Sequence, residues 1–417
     1  MTAFLHNSAS TCRSLAAASG ALLVASVLVS SVAAAEPSGD STPGELAGSA
    51  APPTADQIAE WIGQLGHDSY AMRQAAAEQL LAGGSTARAA LLEVVDTPDP
   101  ETRAAARRLV TLIEQTEFDR RLAEFAADAD GQRGVTLPGW SEFAALVGSD
   151  EPARALFVDM QRCEAATLAA VFRDDVADSK HDWEERLFRL HNWQVVGGQR
   201  NAAPPLGSCA TMLFLGCLAD RGGSERGAVG IADLAQRPPI REAILTSGQQ
   251  PNIVRRLLLV WVSDCPVRND HVLQSRLNLI SLYKLTEALP LAVAVARGEP
   301  PFLTAAANNR VMAVMVIGRF GSAQHAQQLE PLLDDDTVWA MAGQPGNPRV
   351  VQVRDVALAT MIHLTGQQPQ DYGFIGVQRN PQMVFNPQSL GMPDDAARAA
   401  AAAKWRDWKA ANERAGQ

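Results

Sequence analysis

The sequence predicts an all-α protein built as a solenoid of stacked helix pairs, and three observations carry that expectation. Alanine supplies much of a 47% hydrophobic content in which aromatics are only 6%, and alanine is the strongest helix former. No stretch alternates apolar and polar residues as a half-buried strand does, and no Gly-rich strand-to-helix turn occurs. One helical design also recurs: Arg73, Ala76 and Leu80 stand in the same relative places as Arg103, Ala106 and Val110, thirty residues on. Periods of about 20–50 residues belong to solenoids.

Residues 1–35 read as an export signal: Arg13 charges the n-region, "LAAASGALLVASVLVSSVAAA" is the apolar core, and Ala33-Ala34-Ala35 is an A-x-A cleavage site, so the mature chain is expected to start at Glu36. The expected location is therefore periplasmic or extracellular. An uncleaved N-terminal anchor is the alternative, since the stretch approaches the roughly 20 residues that span a bilayer, but its Ala/Ser content argues against it. No other apolar run is that long, so the mature chain is expected to have no membrane span. Residues 36–53 are rich in Pro, Gly and Ser and read as a flexible linker.

Thr54 is a plausible N-cap for a helix whose stripe is Ile58, Trp61, Ile62 and Leu65. "SYAMRQAAAEQLLAGG" follows, capped by Asp68 or Ser69 and ended by Gly83-Gly84, with Met72, Ala76, Leu80 and Leu81 expected inward. "TARAALLEVVD" turns Leu91, Leu92 and Val95 inward, and "PDPETRAAARRLVTLIEQ" completes residues 54–116. Residues 305–366 repeat the grammar, with Ala313 and Ile317 three and seven residues after Arg310, and Ala357 and Met361 three and seven after Arg354. A helix pair cannot bury its apolar stripe alone, so neighbouring pairs stack, with alanine where backbones cross.

"DSYAMRQAAAEQLL", "DPETRAAARRLV" and "VRDVALATMIHLTG" resemble HEAT-type repeats, in particular the HEAT-like repeats of exported bacterial proteins. The resemblance implies a solenoid of antiparallel helix pairs and a polar ladder of Asp68/Arg73 and Asp99/Arg103; Arg310 and Arg354 have no Asp at that offset. HEAT-like folds also occur in lyases acting on bilin chromophores, but no motif here selects that activity.

Residues 117–304 form an irregular helical middle section. Trp140, Phe143, Leu146 and Phe157 are expected to pack together, "GSCATMLFLGCLAD" to be a buried helix, and Pro290 to kink or end "QSRLNLISLYKLTEALPLAVAVARG". Residues 367–417 read as a surface loop anchored by Tyr372, Phe374 and Phe385, then a capping helix with Trp405 and Trp408 on one face. Cys163, Cys209, Cys217 and Cys265 permit two disulfides or buried thiols. Cys209 and Cys217 share a helix face about 12 Å apart and cannot bridge each other.

The net charge of -10 and the absence of a basic run argue against nucleic acid. In "SKHDWEERLFRLHNW", His181 and Glu185 share a helix face, but the H-E-x-x-H spacing is absent, so a solvated helix packing Phe188 and Trp193 is the better reading. No nucleophile elbow, Cys-His signature, metal motif or cofactor motif is found. Ser208-Cys209 opens a helix whose dipole would lower a thiol pKa, though burial is the stronger expectation. His363 reads as a core histidine. The insertion "TVWAMAGQPGNPRVVQV" is the candidate binding feature, since solenoid insertions map to one face, and Trp339, Arg349 and Asp336 would be its contacts. The expected function is a non-catalytic protein-binding or scaffolding role in the cell envelope. The alternative is a helical envelope hydrolase or lyase with a site near residues 180–220.

Overall fold

The computed structural model describes residues 52–415, apart from 129, 174–175, 193–202, 219–223, 247–251, 268, 302–306 and 345–346. The expected export signal lies outside the described residues, as does the spacer up to Ala51. The described residues are mostly helical, 72% of them in 17 helices, and no helix among them is long and apolar enough to cross a membrane.

The first four helices are α1 (Ala55–Gln64), α2 (Tyr70–Ala82), α3 (Gly84–Glu93) and α4 (Pro100–Ala127). Thr54 closes a capping box with Gln57, and Asp99 caps α4 by accepting from Glu101 and Thr102 amides; each satisfies amide hydrogens that have no partner inside the helix. Ile58, Leu65, Ala76, Leu80, Leu91, Ala106, Val110 and Ile113 form one core. Burying each Leu is worth about 1.5–3 kcal/mol. Met72, Leu81 and Leu92, expected inside, are exposed, because Ala76, Ala77 and Ala87 bring the helices together along an adjacent stripe. α4 crosses the expected boundary at 116 and joins two cores, ending with Leu122 and Phe125 in the larger one.

The middle comprises α5 (Trp140–Val147), α6 (Glu151–Val171), α7 (Val176–His191), α8 (Leu206–Cys217), α9 (Glu225–Leu234), α10 (Pro238–Thr246), α11 (Ile253–Ser263), α12 (Asp270–Tyr283) and α13 (Leu289–Ala296). Trp140 and Phe157 pack ring on ring with Phe125, Phe143 packs on Phe157, and Leu146 lies half-buried against the same core. α8 is buried along nearly its whole length and crosses α6 where Gly207 faces the Asp159 carbonyl. In α7 the buried stripe is Trp183, Leu187 and Leu190, while Phe188 is exposed; Trp193 and the side chain of His181 lie outside the described residues. Pro290 does not kink a long helix. α12 ends at Lys284, left-handed at φ 52°, and Pro290 opens α13, where its missing N–H has no partner to lose.

The last helices are α14 (Ala307–Phe320), α15 (Ala323–Leu329), α16 (Val353–Leu364) and α17 (Asp395–Ala415). α14 crosses α16 at Gly318, where Thr360 lies against the glycine. Ala313, Ile317, Ala357 and Met361 are all buried there. The insertion expected as a loop is instead a hairpin of β1 (Val338–Gln344) and β2 (Asn347–Gln352), with Ala342 opposite Arg349 and a bulge between Val338 and Ala340. β3 (Arg379–Asn380) and β4 (Val384–Phe385) make a second small pair. Tyr372, Phe374 and Phe385 are buried anchors of the C-terminal segment, and Trp405 and Trp408 stack at 5.1 Å on α17.

Candidate functional site

Two helices and two turns enclose a groove of about 370 Å³, the turn after α9 supplying Gln236. On α12, Asn278, Ser281 and Leu282 point into it; on α14, Met312, Met315, Val316 and Arg319 do. These spacings of three and four place each set on one helix face. The C-terminal segment completes the wall with Gln382 and Met383. Met315 and Val316 form a buried floor and Leu282 an exposed rim. Three methionines in one groove make a polarizable, adaptable apolar surface.

The polar rim is held in place. Arg319 donates to the Gln382 carbonyl at 2.7 Å and its guanidinium lies over the Phe320 ring. The turn beyond Met383 continues into Val384 at φ 68°, a left-handed conformation that costs a β-branched residue about 1–2 kcal/mol. Phe385 donates to the Met383 carbonyl at 2.8 Å across that turn. Backbone strain of this kind collects at ligand clamps when the surrounding structure enforces it.

The hairpin meets the upper end of the same helix. Trp339 Nε1 donates to Asn308 Oδ1 at 3.2 Å, one turn before Met312, whose sulfur accepts from Gln274 at 3.3 Å. Arg349 has different neighbours: it lies against Gly376 and Gly391 of the C-terminal segment. Asp336 is exposed ahead of β1. Trp339 and Arg349 therefore have separate surroundings, and only Trp339 connects to the groove helix.

The arginines of the recurring motif pair differently from the Asp/Arg ladder. Arg73 donates to the carbonyls of His67 and Asp68 and pairs with Glu101 at 3.3 Å; Arg103 donates to the Thr97 carbonyl. Asp99 serves as a cap, and hydrogen bonds from Thr102 hold its carboxyl below the ordinary value. Arg310 pairs with Asp335 and Arg354 with Asp395 at 2.9 Å. Arg73, Arg310 and Arg354 thus find their acids outside the offset that the motif suggests, and Arg103 reaches a carbonyl instead.

The middle section holds a buried polar cluster. α6 breaks at Glu164 (φ −139°, ψ 31°), and its carboxylate accepts from Arg186 Nη2 at 2.6 Å, Ser208 Oγ at 2.7 Å and Thr167 Oγ1 at 3.0 Å. The hydrogen bond from Arg186 to this acid raises the guanidinium pKa. Ser208 is 1% exposed and spends its proton on this carboxylate, so the cluster ties α6, α7 and α8 together. Cys209 is pushed up to about 12 by burial, against the helix dipole. Burial likewise lowers the pKa of His363, whose ring packs edge-on against Phe385. Among the described residues no three His, Cys, Asp or Glu side chains are grouped to hold a metal ion.

Sequence reasoning missed the groove, the hairpin and the Glu164 cluster. The hairpin had a signal: "VWAMAG" and "RVVQV" are rich in strand formers on either side of a Pro/Gly turn. No family model matches the chain, and no curated protein is similar to it.

Proposed function

We propose that this chain is a non-catalytic protein-binding or scaffolding protein of the cell envelope, a HEAT-like solenoid that takes its partner in the groove between α12 and α14. The observation that carries the reading is the groove itself: a Met312, Met315 and Met383 surface rimmed by amides and one arginine. Such a surface suits an apolar helix face or loop of another protein better than a small polar substrate. The buried alanines at the crossings of α2 with α4 and of α14 with α16 support the solenoid reading. The signal-like residues 1–35 support export.

The test places a photo-crosslinking residue at Leu282 in the groove, and at Leu92 and Phe188 as exposed controls elsewhere. One discrete protein adduct from position 282, absent from both controls and lost with Arg319→Glu, is expected. Equal adducts from all three positions, or none from 282 in the native envelope, would overturn the reading. Replacing residues 337–349 with the "TPDPET" turn separates the hairpin from the groove: a partner that needs Trp339 is lost, and one held by the methionines alone is kept.

A further inference from the structure

Two of the four described cysteines face each other. Cys217 ends α8 and Cys265 follows α11, and the two side chains interact directly. Each sulfur also reaches the carbonyl of a preceding turn, Cys217 to Leu213 at 3.3 Å and Cys265 to Val260 at 3.6 Å. Gly216, next to Cys217, lies against Ile231 of α9, whose Cδ1 a Cβ would meet at 2.1 Å, and in ordinary contact range of Trp261 Nε1 of α11 at 3.5 Å. Both residues are buried, 9% and 8% exposed.

A cation sits beside them without an acid. Arg276 is 1% exposed, donates to the Val262, Cys265 and Pro266 carbonyls and stacks on Trp261 at 4.6 Å. No carboxylate lies within ion-pair distance of it among the described residues, and its Nε has no hydrogen-bond partner. A buried cation without a counter-ion is costly. The nearest groups able to become anions are the two thiols.

We propose that Cys217 and Cys265 are a reversible dithiol–disulfide pair, oxidised by exchange with a disulfide-bearing oxidant, with Arg276 steadying the attacking Cys265 thiolate. The hydrogen bond from Cys217 lowers the Cys265 thiol, with Arg276 adding to it, while burial raises Cys217. Cys265 is therefore the nucleophile. Its thiolate attacks one sulfur of the oxidant R–S–S–R, forming Cys265–S–S–R and releasing RS⁻. Cys217 then gives its proton to that thiolate or to solvent and attacks Cys265 Sγ, releasing the second RS⁻. Two protein thiols become one disulfide, and two electrons leave with two RSH. The product staples α8 to the segment after α11. Cys209, fully buried and pushed up to about 12, is a poorer nucleophile than Cys265.

The experiment incubates the purified full chain with glutathione disulfide at neutral pH, alkylates the remaining thiols and maps the peptides without reduction. A Cys217–Cys265 linked peptide, lighter by two hydrogens and reversed by dithiothreitol, is expected. Cys217→Ala should trap glutathione on Cys265, and Arg276→Met should slow the exchange about tenfold for each unit by which the thiol rises. A Cys163–Cys209 link alone, Cys217 and Cys265 both left free, or glutathione left unresolved on wild-type Cys265 would overturn the proposal. The wild-type map decides even if a variant fails to fold.

Discussion

Arg398→Leu removes the centre of a buried clasp. Arg398 of α17 donates to Asp355 through Nε at 2.9 Å and Nη2 at 3.2 Å, and to the Val350 carbonyl at 2.7 Å. The two side chains are 9% and 1% exposed, so α16, β2 and α17 share one desolvated ion pair. Without the guanidinium, the Asp355 carboxylate keeps the Gln352 amide at 3.0 Å as its hydrogen-bond donor. Breaking one side of a buried pair costs about 3–5 kcal/mol. The contact of Arg398 with Asp395 adds little, because that carboxylate is 80% exposed. Burial already raises the Asp355 pKa despite the arginine, and the variant moves it further up. A carboxyl raised in the folded state binds its proton more readily there than in the unfolded chain. The stability linked to it is therefore fully present below the ordinary Asp value and lost as pH rises through the folded value. The deficit of Arg398→Leu should thus be largest at neutral pH and shrink on acidification, by about 1.4 kcal/mol per unit within that window. Urea denaturation at neutral and mildly acidic pH measures the global effect, and hydrogen exchange over residues 395–415 the local one. Asp355→Asn in the same chain should restore most of the loss. A deficit below about 1 kcal/mol, or one of equal size at both pH values, would refute the reasoning.

Gly207→Ala should destabilise by about 1–3 kcal/mol, because its Cβ would lie 2.3 Å from the Asp159 carbonyl oxygen, a backbone atom that cannot rotate aside. Gly63→Ala, in the same assay, should stabilise by about 0.5–1 kcal/mol, since it is helical and nothing lies within 4 Å; thermal melts that rank the two the other way would contradict the packing described. Trp405→Ala should cost about 3–5 kcal/mol from a site 2% exposed, read as early exchange of α17 amides. Cys209, pushed up to about 12, should resist iodoacetamide in mildly alkaline buffer in the folded protein and react once unfolded; alkylation at equal rates in both states would show the burial to be wrong.

The helical class was legible because it depends on local chemistry: alanine, capping residues such as Thr54 and Asp99, and apolar stripes spaced by three and four. The buried helix "GSCATMLFLGC" and the anchors Tyr372, Phe374 and Phe385 were legible for the same reason, since apolar side chains leave water wherever the chain takes them. Met72, Leu81 and Leu92 were misplaced because periodicity defines a stripe only to within about one helical position. Which edge of it turns inward depends on the neighbouring helix. The hairpin at 338–352 is legible only in part: its strand formers and Pro/Gly turn are visible in the sequence, but a short pair inside an all-α pattern lacks the alternation of a half-buried strand.

Other features required the third dimension. Glu164 meets Arg186 and Ser208 across 22 and 44 residues of chain, and Asp355 meets Arg398 across 43. Cys217 was free of Cys209 by helix geometry alone, but nothing in the sequence singled out Cys265 as its neighbour. The groove draws its walls from Gln236, α12, α14 and residues 382–383. Local propensity and burial are properties of short segments, so the amino-acid sequence by itself determined the helices and their apolar content. Ion pairs, thiol pairs and concave surfaces depend on which distant segments pack together, and only the tertiary structure decided those.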